Sequence, residues 1–250
     1  HRHHVELDLH PGCIACIHGL VAKEYTMTEL PGSDTGQPLF PLVRHLSGWL
    51  THLLLRTFLT PNMITSLSLV LGLSAAAMFA TGRYAEGIWG AIFFAGNYIL
   101  DNCDGEIARH KDMQSTFGHY FDSFVDWVVH ATLFAGLGYG YAEKTATEVW
   151  LWLGLISALG TTINYCFGVW QETVYKPGKD NDQPDELDIP NNIKDWILFI
   201  FRELFRADFF IIVLVLALID QTWLLLPTAA VGAHAYWIMA IAARDKNYRV

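Results

Sequence analysis

The sequence predicts an all-α integral membrane protein, with six transmembrane helices preceded by a cytoplasmic amphipathic helix. Three observations carry this. Of 250 residues, 52% are hydrophobic and 16% charged, where soluble domains carry roughly 25% charged residues. The mean hydropathy is positive, at +0.27. Long apolar runs recur along the chain, and in lipid a helix is the open-ended backbone that satisfies its own hydrogen bonds.

Two regions follow in order. Residues 1–61 form a cytoplasmic N-terminal segment, and residues 62–250 a six-span domain. The segment opens HRHHVELDLH, without the positive start and long apolar core of a secretory signal. Cys13 and Cys16 make a CxxC with His10 and His18 nearby. This is either a zinc or copper site or a pair of ordinary thiols. Residues 31–38, PGSDTGQP, read as a loop. Residues 39–58 mix Leu, Phe and Trp with Arg and His at helical spacing, which suits a helix lying on the cytoplasmic face. The alternative is an ordinary helix packed on the spans. Thr60 is placed to cap the next helix, and Pro61 fits its first position.

The spans are expected over residues 63–82, 86–107, 118–140, 148–171, 207–220 and 223–243. A polar cytoplasmic connection, 176–195, divides four from two. Cys103 and Cys166 are packing residues in or beside spans. Of the 16 Lys and Arg, Arg83 and Lys144 fall on one side of this topology and all others on the opposite side. The positive-inside rule then puts both termini in the cytoplasm. The net charge of −9 does not overturn this, because acidic residues contribute little to the rule. No nucleic-acid partner is expected.

The chemistry lies in DNCDGEIARHKDMQSTFGHYFDSFVD, Asp101 to Asp126. Asp101 and Asp104 are three apart, Asp122 and Asp126 four apart, so each pair shares one helix face. Apolar runs flank the stretch, and carboxylates at membrane depth are functional by default. Four converging carboxylates repel one another unless cations neutralise them. Hard divalent ions, Mg²⁺ or Mn²⁺, suit oxygen ligands. Gly105 and Ala108 leave space for a diphosphate to approach the backbone. Arg109 offers a fork for phosphate oxygens. Gly118 permits close contact with a neighbouring span or the substrate.

The stretch resembles the signature of the CDP-alcohol phosphotransferases, Asp-x2-Asp-Gly-x2-Ala-Arg-x8-Gly-x3-Asp-x3-Asp. Asp101, Asp104, Gly105, Ala108, Arg109, Gly118, Asp122 and Asp126 meet every fixed position and spacing. Pro61-Asn62-Met63-Ile64-Thr65 is similar to a softer family segment beside the nucleotide. The resemblance implies two divalent ions, held by Asp101, Asp104 and Asp122 and in part by Asp126. It also implies a CDP-alcohol donor, an acceptor alcohol, release of CMP in phospholipid biosynthesis, and a homodimer. Asp126 is the best general base for the acceptor hydroxyl. Asn62, Thr65 and Ser115 are candidates for cytidine or phosphate contacts. The form DGEIAR with Ser-Thr-Phe-Gly is reminiscent of the inositol-phosphate branch, without the nucleotidyltransferase domain fused in some of its members.

CDP-diacylglycerol as donor with a polyol phosphate as acceptor leads, and a CDP-polar alcohol with a lipid acceptor is second. Arg202 and Arg206, one turn apart, either bind the acceptor phosphate or meet anionic headgroups. His119 and His130 are read as packing or helix-bridging residues. Ala131, Gly136, Gly138, Gly154 and Gly160 permit close helix contacts, between subunits or within one. From another class, a divalent-cation transporter also places carboxylates in spans. It predicts acidic residues deep in several spans, whereas Glu86, Glu143, Glu148 and Asp220 lie at span ends.

Overall fold

A computed structural model describes residues 42–174 and 208–243. Cys13, Cys16, the 31–38 loop, the 176–195 connection, Arg202 and Arg206 lie outside the described residues. The described residues are helical and contain no strand. The helices are α1 (Leu42–Leu54), α2 (Pro61–Ala80), α3 (Tyr84–His110), α4 (Thr116–Thr145), α5 (Val149–Val174), α6 (Phe209–Leu218) and α7 (Leu225–Ala243), with a 3₁₀ turn at Thr222–Leu224. The first four stretches expected to span lie almost entirely within α2 to α5, with ends shifted by a few residues. Of the last two, 207–220 contains the shorter α6, and 223–243 takes in most of the 3₁₀ turn and all of α7.

Among the described residues, two helices, Pro61–Ala80 and Val149–Thr173, are long and apolar enough to cross a membrane. The carboxylates of α3 and α4 lower their hydropathy. α6 has 10 residues, or roughly 15 Å at 1.5 Å per residue, which is half a bilayer core.

The α2 start follows the sequence expectation. Thr60 is the cap, its hydroxyl accepting from Met63 N–H at 3.4 Å, and Pro61 is the first helical residue. α2 is the hub: α3 and α4 both pack along it, α5 packs on α4, and α7 on α5. α1 crosses α3, and α6 also leans on α3. The core between α2, α3, α4 and α6 is built from Ala75, Phe79, Phe94, Val129, Leu133 and Val213.

The small residues serve this packing. A Cβ on Gly138 would lie 2.8 Å from Gly154 Cα, and one on Gly136 would meet the Ala76 carbonyl. Gly160 faces Ala233 and His234. These four glycines are therefore used within one chain, not held free for a partner subunit.

α1 is fastened by polar contacts. The Asp208 carboxylate accepts from Leu42 N–H at 2.8 Å and Val43 N–H at 2.9 Å, capping α1 from the start of α6. Ser47 donates to Glu106 on α3 at 2.7 Å. Lys111 Nζ donates to the Thr57 and Leu59 carbonyls at 3.1 and 3.0 Å, holding the segment after α1.

Candidate active site

Helical period aims Asp101 and Asp104 from one face of α3, and Asp122 and Asp126 from one face of α4. Packing of both helices on α2 then decides which of them meet. One carboxylate oxygen each from Asp101, Asp104 and Asp122 lies within 4.8 Å of the others. Asp126 is not in this group. It stands one turn further along α4, exposed, with its charge still felt at Asp101 and Asp122.

No ion pair among the described residues involves these carboxylates. The Oδ1 atoms of Asp101 and Asp122 are buried with no hydrogen-bond partner there. Uncompensated buried carboxylate oxygens are costly. A hard divalent cation offers the missing counter-charge and takes oxygen ligands. The donor set therefore fits Mg²⁺ or Mn²⁺.

A cavity of about 380 Å³ adjoins the cluster, within the size range of small-molecule sites. One wall is the start of α2, with Pro61, Asn62 and Thr65. A second is the α3 face carrying Asp104, Gly105, Ala108 and Arg109. The start of α4, with Gly118, His119 and Asp122, closes it.

A Cβ on Gly105 would meet only the Arg109 guanidinium, at 3.4 Å, so the backbone lies open to the cavity. A Cβ on Gly118 would sit 3.1 Å from Ser115 Oγ and 3.4 Å from Asn62 Oδ1, so glycine lets α4 start against α2. Ser115 caps α4, its hydroxyl accepting from Gly118 N–H at 3.0 Å. Thr65 lines the cavity but is only 3% exposed. Its hydroxyl donates to the Asp104 carboxylate, so the visible contact orients a cluster residue.

Three wall residues escape a reading of the sequence. Met113 and Gln114 reach the rim because α3 ends in a left-handed turn at Asp112, φ +53°. Met113 N–H bonds back to the Ala108 carbonyl at 2.9 Å, and Asp112 N–H to that of Arg109 at 3.4 Å. That paired closure usually uses glycine. Asp tolerates the conformation better than most residues, so no glycine marks the turn. His119, read as a bridging residue, does contact Glu172 on α5 at 3.3 Å, yet it also faces the cavity. His130, read the same way, bridges to Tyr98.

A profile of the CDP-alcohol phosphatidyltransferase family matches residues 58–181, taking in α2 to α5 and all four aspartates. Curated relatives carry the name bifunctional IPC transferase and DIPP synthase. That of Thermococcus kodakarensis is 29% identical over 136 residues, covering 54% of this chain and 30% of the relative. That of Aquifex aeolicus is 27% identical over 173 residues, covering 65% of this chain and 39% of the relative. That of Rubrobacter xylanophilus is 36% identical over 93 residues, covering 37% and 21%. The matches thus span between about a fifth and two fifths of these relatives' length. They agree with the inositol-phosphate branch that DGEIAR suggests. With the full aspartate signature inside the matched segment, the chain belongs to the CDP-alcohol phosphatidyltransferase family.

Proposed function

We propose that this chain is a membrane-embedded transferase that moves a phospho-alcohol group from a CDP-alcohol to an acceptor alcohol and releases CMP. The observation that carries this is the meeting of Asp101, Asp104 and Asp122 at a cavity whose wall includes Arg109 and the open backbone of Gly105. The three aspartates, joined in part by Asp126, would hold two divalent ions. Such ions would neutralise the diphosphate and stabilise the departing phosphate.

The chain's own residues do the rest. Arg109 anchors phosphate oxygens, and Gly105 and Ala108 admit the diphosphate. Asn62, Ser115 and Gly118 form the nucleotide end. Asp126, outside the three-carboxylate cluster and exposed, takes the proton of the acceptor hydroxyl. The acceptor oxygen bonds to the β-phosphorus, the bond from that phosphorus to the bridging oxygen breaks, and CMP leaves with the electron pair. The nucleophile belongs to the substrate, so no protein side chain is phosphorylated.

The surface supports a lipid setting. Leu67, Val70, Leu73, Leu155, Leu159 and Val231 are exposed while Ser68, Asn97 and Ser157 are buried. In water that distribution is inverted; in lipid it is expected. α1 repeats it. Ser47, Gly48 and Thr51 face inward, and Trp49 is 72% exposed beside Leu46 and Leu53. This supports the reading of α1 as an interfacial helix, and the Lys and Arg bias favours a cytoplasmic site and cytoplasmic termini.

CDP-diacylglycerol as donor with a polyol-phosphate acceptor is the leading substrate pair, and a CDP-polar alcohol with a lipid acceptor is second. The names of the relatives favour an inositol-phosphate unit on one side of the reaction. CMP release by the purified protein, measured with Mg²⁺ against both pairs, tests the proposal. No CMP from any CDP-alcohol, with the protein folded and metal present, rejects it.

If the acceptor carries a phosphate, Arg202→Ala or Arg206→Ala is expected to raise acceptor KM about tenfold, or roughly 1.4 kcal/mol, with donor KM nearly constant. Equal use of a polyol and its phosphate ester by the wild type contradicts this and moves the second pair ahead. A homodimer, as the family resemblance implies, is expected in nanodiscs. Mass measurement showing only monomer at micromolar concentration counts against it.

A further inference from the structure

α3 and α4 each carry part of the aspartate cluster, yet their backbones barely approach one another; both pack on α2 instead. The relative position of the two carboxylate sets therefore depends on what spans the gap. One turn beyond the cluster, Tyr98 Oη on α3 meets His130 Nε2 on α4 at 3.1 Å. Tyr98 lies three residues before Asp101, and His130 four after Asp126, so each shares a helix face with the carboxylates.

The histidine is oriented at both nitrogens. Nδ1 is 2.8 Å from the Asp126 carbonyl, which only accepts, so Nδ1 carries the proton. In the neutral ring Nε2 is then the acceptor for the Tyr98 hydroxyl. Aromatic neighbours fix the rings. Phe94 meets His130 edge-on at 6.0 Å, Phe209 of α6 lies 6.5 Å from it, and Phe210 lies 5.9 Å from Tyr98. The bond thus ties the backbone of Asp126 to the helix that bears Asp101.

We propose that Tyr98 and His130 are a positioning pair that sets the spacing between the α3 and α4 carboxylates. Ligand atoms must sit within about 0.2 Å of the distances a metal requires, and partners outside the ligand shell affect affinity about 10- to 100-fold. This rests on the reading of the aspartates as a divalent-cation site.

The test is Mn²⁺ binding to the full chain in nanodiscs, followed by the electron paramagnetic resonance signal of free Mn²⁺, without turnover. Tyr98→Phe removes one oxygen and keeps the ring contacts. It is expected to raise the Mn²⁺ Kd about tenfold while Tm moves by a few degrees at most. His130→Phe is expected to do the same. The double variant is expected to be no weaker than the worse single, because both singles already break the same Tyr98–His130 bond. Unchanged Kd in the single variants, or effects that multiply in the double, overturns the pairing. Loss of Tm with unchanged Kd assigns a structural role and also overturns it. A wild type that binds no Mn²⁺ rejects the metal reading itself, and this inference with it.

Discussion

Asp126→Asn is expected to lower turnover about 10²- to 10⁴-fold, the usual contribution of a general base, while CDP-alcohol binding stays within several-fold. The reason is position. Asp126 stands apart from the three carboxylates that meet within 4.8 Å, one turn further along α4 and exposed. Asn keeps the shape but cannot take the proton of the acceptor hydroxyl. Turnover and nucleotide binding are measured separately, by CMP release and by equilibrium binding of a CDP-alcohol. A variant that keeps more than about a tenth of the wild-type rate removes the general-base role. A variant that loses nucleotide binding as fully as turnover makes Asp126 a ligand of the donor site instead.

Asp104→Asn is expected to be as severe in rate and to differ in kind. Asp104 is 5% exposed, accepts from the Thr65 hydroxyl, and belongs to the converging set. Removing its charge withdraws a metal ligand, so Mn²⁺ affinity and nucleotide affinity should fall together. Turnover should fall at least about 10²- to 10³-fold, on the scale of losing one electrostatic stabiliser of a transition state. Excess EDTA should reproduce the loss in the wild type. Full turnover in EDTA, with metal content confirmed as zero, contradicts the cation site. Normal Mn²⁺ binding by Asp104→Asn removes Asp104 from it.

The two variants separate because one side chain is assigned to a proton and the other to cations. Both assignments have their origin in spacings along the chain. Intervals of three and four place side chains on a shared helix face whatever the helix packs against, so the pairs Asp101/Asp104 and Asp122/Asp126 are legible in the sequence alone. The same local rules give the Thr60 cap, the Pro61 start and helix ends accurate to a few residues. Gly105 and Gly118 are also legible as places where the backbone is left uncovered, because glycine's lack of a side chain is itself the signal.

What approaches them is not legible. Whether Asp126 joins the other three depends on how α4 lies along α2, and no period within one helix encodes that. Thr65 reads equally well as a substrate contact, and only the α2–α3 crossing shows its hydroxyl on Asp104. The small residues Gly136, Gly138, Gly154 and Gly160 suit a subunit interface as well as an internal one; the fold uses them internally. Tyr98 and His130 are 32 residues apart and carry no shared motif. Met113 and Gln114 come to the cavity rim through a left-handed turn that Asp112 adopts without a glycine to mark it. Sequence by itself determined the helices and the carboxylate pairs, and pointed to the chemistry proposed for them, because these follow from residue type and helical period. Tertiary structure alone decided which carboxylates meet, which side chains orient them and which form the cavity. Distances between helices come from crossing geometry, set by packing of the whole bundle.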